Sequence, residues 1–282
     1  MMVPANKSMT RSSPAAATPR SALAFALLVL ALAVPIWVLG RSAGVIGSLK
    51  IPVTDLLLAF TPLTAAAILV WWNEGGGRLI AFLKSTSDFG GLVRSHWFWP
   101  ALLLAPLIYA LTFFGLHVAG HREVPVTGFS RLPLLAVIMF VLAIGEEAGW
   151  TGYLLDPLQD RFGALVASLI IAVPWWLGHI PSIIAIGGTA SDVAWWLPGA
   201  IALRVLMTWL YNGAGRSLAT VVLFHTMLNV GRSVAYPTIG SHYDPAYQIA
   251  GYGIASAMAA LVAISWRAAA KRRTSETPPP TA

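Results

Sequence analysis

The sequence predicts an all-α polytopic membrane protein, a helical bundle of about eight spans, and three observations carry that expectation. Hydrophobic residues make up 57% of the 282 and charged residues only 10%, whereas a soluble domain carries about 25% charge. The mean hydropathy is +0.73. The apolar residues fall in runs of about 20, the length at which a helix crosses about 30 Å of hydrocarbon. The chain has no cysteine, which excludes a disulfide framework, thiolate chemistry and cysteine-ligated metal. Its net charge of +7 is scattered over loops and tails instead of gathered in a stripe. The expected partner is therefore the lipid bilayer and not nucleic acid.

In order along the chain, residues 1–20 are polar, rich in Pro, Ala and Ser, and read as a disordered cytoplasmic N-terminus. The transmembrane domain covers 21–266. Its first span is Ser21–Gly40; Ala31-Leu32-Ala33 resembles a cleavage site, but the apolar run continues to Leu39, so the span is read as retained. The second is about Val53–Trp72 and the third about Trp97–His117. In the polar connection between them, Arg78–Ser85 reads as an amphipathic piece along the membrane surface. The fourth span, about Leu132–Leu155, opens the half that carries the motifs, about 132–235. The fifth is about Ala164–Ile180, the sixth about Ala194–Tyr211, the seventh about Leu218–Ala235 and the eighth about Ala246–Trp266. Residues 267–282 form a basic, Pro-rich cytoplasmic tail. With the N-terminus inside, the outer loops hold Arg41, Lys50, Arg122, Arg131 and Arg232, and twelve other basic residues fall inside. That asymmetry places both termini in the cytoplasm of a cell with the protein in its plasma (inner) membrane.

Polar groups at membrane depth then stand out. Glu146 and Glu147 lie side by side in VIMFVLAIGEEAGWTGYLL, and one ionisable group at a span centre costs about 2.5–3.5 kcal/mol on insertion scales. His179 sits in the fifth span. His225 and Asn229 are four residues apart in the seventh, on one helical face. Taken singly, each has a plain reading: carboxylates in the headgroup layer, an interfacial histidine, a helix–helix hydrogen bond. Together they are the parts needed to hydrolyse an amide. A carboxylate activates water with a histidine sharing the proton, and a second histidine and an amide donate to the oxyanion. Alternatively, Glu146, His179 and His225 hold a divalent metal such as zinc that activates the water. His96, His117, His121 and His242 fall in loops or at span ends.

Glu146-Glu147-x-x-Trp150, Trp175-x-x-x-His179 and His225-x-x-x-Asn229 resemble the motifs of the CAAX-protease and bacteriocin-processing (CPBP, or Abi) family of intramembrane endopeptidases. Gly149-Trp150-Thr151-Gly152-Tyr153 is similar to that family's GWRGY. The stretch Asn212–Leu218 is similar to its N-x-T-G-x-S-L. The resemblance implies a metalloendopeptidase-like hydrolase acting on a peptide or lipidated-protein substrate. It implies Glu146 as general base, His179 as its assistant, His225 and Asn229 as the oxyanion pair and Glu147 as support. In place of the family's EExxxR arginine this chain has Thr151, four residues after Glu147. An intramembrane arginine needs a partner, so Arg204 of the sixth span is expected to pair with Glu147.

Straight spans set Glu146 nearer the cytoplasmic face than His179 by about 10–15 Å. Either the fourth helix runs past Leu155 or the fifth starts above the membrane edge, with Gly163 and Pro174 permitting the irregularity. Two other classes compete with the protease. One is an inactive family member serving as a membrane scaffold or immunity protein, which the threonine favours. The other is a Glu/His proton-relay transporter, for which internal repeats are expected and not seen. Site-2 proteases need H-E-x-x-H, which is absent. Gly145-x-x-x-Gly149 reads as a small-residue seat for a neighbouring helix within the bundle.

Overall fold

The computed structural model describes residues 19–40, 44–46, 51–121, 130, 132–235 and 245–276. The stretches read above as terminal disorder, 1–18 and 277–282, lie outside the described residues, as do His242 and the basic residues Arg41, Lys50, Arg122 and Arg131. Among the described residues, seven helical stretches are long and apolar enough to cross a membrane, and an eighth, Leu218–Val234, is apolar but shorter. The molecule is an integral membrane protein built as a helical bundle.

Helix α1 (Pro19–Leu39) packs on the second span, and its fully buried Phe25 meets the Trp150 and Tyr153 rings of the fourth. Between them Val45–Ile46 and Ile51–Pro52 pair as a minimal antiparallel ribbon. The second span is not one helix. It breaks at Ala59-Phe60 into α2 (Val53–Leu58) and α3 (Thr61–Glu74). Pro62, in the first turn of α3, has no N–H to continue the ladder, and the Thr61 hydroxyl donates to the Leu58 carbonyl instead, at 2.8 Å. Helix α4 (Gly76–Thr86) is the amphipathic piece read from the sequence; it buries Phe82 and Thr86. Helix α5 is Phe98–Val118.

The fourth span settles the depth question raised by its sequence. Helix α6 (Leu132–Glu147) passes into a π-helical stretch, Ala148–Leu155, and then into α7 (Asp156–Phe162), so the chain stays helical for 31 residues. Glu146 and Glu147 therefore sit mid-span and not near an end. A π turn carries a widened backbone and recurs at functional sites. Here it follows directly on the two glutamates. Gly145 and Gly149 lie against the break in the second span: a Cβ on Gly145 would come within 2.6 Å of the Ala59 carbonyl oxygen, and one on Gly149 within 2.5 Å of Pro62. The small-residue pair is thus a backbone-to-backbone seat inside the bundle.

Helix α8 (Ala164–Ala185) contains Pro174 and Pro181 and runs one turn beyond its expected end. Helix α9 (Ala190–Gly213) opens with a capping box, the Thr189 hydroxyl taking the Asp192 N–H and the Asp192 carboxylate taking the Thr189 N–H. Helix α10 is Leu218–Ala235, and α11 is Pro245–Glu276, which continues past the Trp266 boundary. Helix α9 is the centre: 56% of its span is buried, against 11% for α1 and α11. It packs on α8, α10 and α11, and its lipid-independent environment is what lets it carry Arg204.

Candidate active site

Glu147 is fully buried, and every partner it has is polar. Its Oε2 accepts from Arg204 Nη1 at 2.9 Å and from Thr151 Oγ1 at 2.5 Å. Its Oε1 lies 2.8 Å from His225 Nδ1. One carboxylate therefore ties together the π turn, α9 and α10. The expected pairing of Arg204 with Glu147 is present as a direct contact, and Thr151 fills the family's arginine position as a hydrogen-bond donor to the same oxygen. Arg204 is 2% exposed, and its guanidinium carbon lies 4.1 Å from the centre of the Trp175 ring, a stacked cation–π arrangement.

Glu146 faces the other way. Its Oε2 accepts the indole N–H of Trp175 at 2.7 Å, bridging α6 to α8. This is its one hydrogen bond among the described residues, so the second oxygen is open to the cavity that Glu146 lines. His179 stands one turn after Trp175, with the two rings edge to face at 5.1 Å between centroids. His179 Nδ1 lies 2.8 Å from the Trp175 carbonyl oxygen. A carbonyl only accepts, so Nδ1 carries the proton and Nε2 presents a lone pair.

The cavity holds about 470 Å³ and is lined by Glu146, His179, His225 and Asn229 together. Thus α6, α8 and α10 each deliver a candidate side chain to one space, as the motif spacing predicts. His225 is tied at Nδ1 by Glu147, which leaves Nε2 for the cavity; its ring meets the edge of Trp175 at 5.9 Å. Glu147 and Arg204 lie behind this wall and do not line it.

Other polar residues reach the same space, among them Asp55, Ser182, Tyr109 and Arg232. Asp55, in the first turn of α2, accepts the Ser182 hydroxyl and lines the cavity. Ser182 continues the Trp175–His179 stripe at i+7, a spacing visible in the sequence. Asp55 reads there as a helix-edge residue and gives no signal. Tyr109 donates its hydroxyl to the Leu228 carbonyl at 2.9 Å. Arg232, grouped by its position with the outer loops, is on α10 and lines the cavity.

The metal alternative can be tested against these donors. Among the described residues no three His, Asp or Glu side chains converge as metal ligands. Glu146 Oε2 and both histidine Nδ1 atoms are engaged by protein groups, which leaves Glu146 Oε1 and the two Nε2 atoms as the donors a metal would take. Among the described residues Glu146, His179 and His225 are not gathered into a metal-ligand cluster.

Residues 127–231 match the family model described as "Rce1-like: Type II CAAX prenyl endopeptidase Rce1-like". That region spans the π turn, both histidines and Asn229. Over that region the chain is similar to the CAAX-protease family. A CAAX prenyl protease 2 of Methanococcus maripaludis is 23% identical over 150 residues, 48% of this chain and 53% of the relative. The chain thus spans about half the length of that curated relative. The family match ends at 231, so Arg232 lies just beyond it, and α1–α5 and α11 fall outside it entirely.

Proposed function

We propose that the protein is an intramembrane endopeptidase that cuts a peptide bond of a membrane-associated or lipidated protein with water activated by Glu146. The observation that carries this reading is that Glu146, His179, His225 and Asn229 line one cavity within the bundle while Glu147 and Arg204 stay behind its wall. A peptide carbonyl between Glu146 and the α10 pair meets water on the Glu146 side. As the water oxygen bonds to the carbonyl carbon, its proton passes to Glu146. The oxyanion accepts from the Asn229 amide and, when His225 is doubly protonated, from its Nε2–H. The proton then moves to the leaving amine, with the His179 Nε2 lone pair as the neighbouring relay, and the C–N bond breaks.

Glu147 does a different job. By accepting from His225 Nδ1 it fixes the ring so that Nε2 points to the substrate, and Arg204 with Thr151 fixes Glu147 in turn. The missing EExxxR arginine was the sequence's argument for an inactive scaffold. Arg204 supplies a cation to the same carboxylate from another helix, which supports the active reading. The substrate reaches the site from the cytoplasmic side or between helices, with both termini cytoplasmic in the plasma membrane.

The test compares new peptide termini in membranes from cells expressing the wild type and Glu146→Gln at equal levels. Termini found only with the wild type are the expected result. Identical profiles from two folded, abundant proteins would instead establish the scaffold.

A further inference from the structure

Helix α10 carries a third cavity-lining group beyond the two the motif names. His225, Asn229 and Arg232 are spaced i, i+4 and i+7, so they form one stripe on a helical face, and all three line the cavity. Arg232 is partly buried. Among the described residues it has no hydrogen-bond or ion-pair partner, unlike Arg78, Arg204 and Arg216, each of which holds a carboxylate. Asp55, which lines the same cavity, accepts the Ser182 hydroxyl and forms no ion pair with Arg232. A cation that lines an apolar-walled cavity without a direct ion-pair partner is complementary to an anionic group brought by a ligand.

Spacing narrows that group. Seven residues of α-helix separate His225 from Arg232 by about 10 Å along the axis. An extended peptide advances about 3.3 Å per residue. With the reacting carbonyl held between His225 and Asn229, an anion at Arg232 lies within about three residues of the bond being cut.

We propose that Arg232 is a substrate-binding residue that takes the C-terminal carboxylate of the peptide, and so positions the scissile bond by its distance from the chain end. The assignment rests on the endopeptidase reading above. Guanidinium and carboxylate match in a two-pronged geometry that an amide end or a continuing chain does not reproduce. The Asp55–Ser182 clasp lines the same space from α2 and α8. Asp55 there is paired with a hydroxyl and not with Arg232, so the guanidinium stays available to the substrate.

The experiment uses the full chain carrying Glu146→Gln, reconstituted in nanodiscs, so that binding is read without hydrolysis. The probes are a prenylated CAAX tetrapeptide as the free acid and the same peptide as its C-terminal amide. The acid is expected to bind about tenfold more tightly than the amide. Adding Arg232→Gln should bring that ratio to about one, and Arg232→Lys should keep part of it. Equal binding of acid and amide to the Arg232 protein, with cleavage by the wild type intact, would overturn the assignment and leave the endopeptidase standing. Binding of neither peptide would sink both. If Arg232→Gln leaves the ratio unchanged but weakens binding to vesicles containing phosphatidylglycerol, the guanidinium belongs to a lipid phosphate, and the proposal is wrong.

Discussion

Two carboxylates adjacent in sequence occupy opposite kinds of space in this molecule. Glu147 is sealed: it is fully buried, its oxygens are shared among an arginine, a hydroxyl and an imidazole, and none of the four touches the cavity except His225. Glu146 is open, with one indole N–H on one oxygen and the cavity at the other. Adjacent residues on a helix point about 100° apart, so one backbone position can face a packed interface while its neighbour faces a space. The fully paired acid builds the site. The under-paired acid is the proposed base.

The largest expected effect separates the two directly. Glu146→Gln keeps the shape and an oxygen for the Trp175 N–H but removes the base. Peptide cleavage should fall by about 10²–10⁴-fold, with the thermal midpoint unchanged. The same chemical change at Glu147 leaves Arg204 buried without its counter-ion and should cost about 3–5 kcal/mol of stability, seen as a large drop in midpoint. Equal stability losses in the two variants would erase the distinction.

Arg204 gives the next test. Arg204→Met should destabilise by a similar margin of about 3–5 kcal/mol, because the Glu147 charge is then uncompensated. Adding Thr151→Arg returns a cation four residues from Glu147 on its own helix. Recovery of both stability and cleavage in the double variant would show that the site needs a cation at Glu147 and is indifferent to which helix supplies it. Recovery of stability alone would mean that α9 positions His225 in a further way.

Asn229→Ala sharpens the open side. Losing one oxyanion donor should lower kcat by about 10²–10³-fold with little change in KM. A rise in KM at constant kcat would make Asn229 a ground-state contact instead.

How much of this was written in the sequence depends on contrast. Glu146, Glu147, His179, His225 and Asn229 were legible because polar groups stand out in apolar runs, and their spacing places them on helical faces. The Arg204–Glu147 contact was legible for an energetic reason: a buried cation demands a partner, and Glu147 had lost its usual one. What stayed hidden has equally physical causes. The break at Ala59-Phe60 is seated against Gly145 and Gly149, a contact between segments far apart in sequence. Asp55 reaches the cavity because of that break. The π turn closes i→i+5 in place of i→i+4 bonds, a one-residue adjustment that the apolar pattern does not report. Arg232 near a span end reads as a topology signal, and only the face it shares with Asn229 shows where it lies.

Trp175 joins the two compartments, and it carries the smallest and most specific prediction. Its N–H goes to Glu146 in the open space, while its ring lies under the Arg204 guanidinium on the sealed side. Trp175→Phe keeps an aromatic face for Arg204 and removes the N–H alone. A hydrogen bond to a charged group contributes about 1.5–3 kcal/mol, and water in the cavity replaces part of it. The expected result is a fall of about tenfold in kcat with KM nearly constant, because Glu146 loses the contact that aims it at the water. Trp175→Leu removes both functions and should lower the thermal midpoint as well. If Trp175→Phe lowered the midpoint and spared kcat, the indole would be a packing element only, and Glu146 would be aimed by something else in the cavity wall.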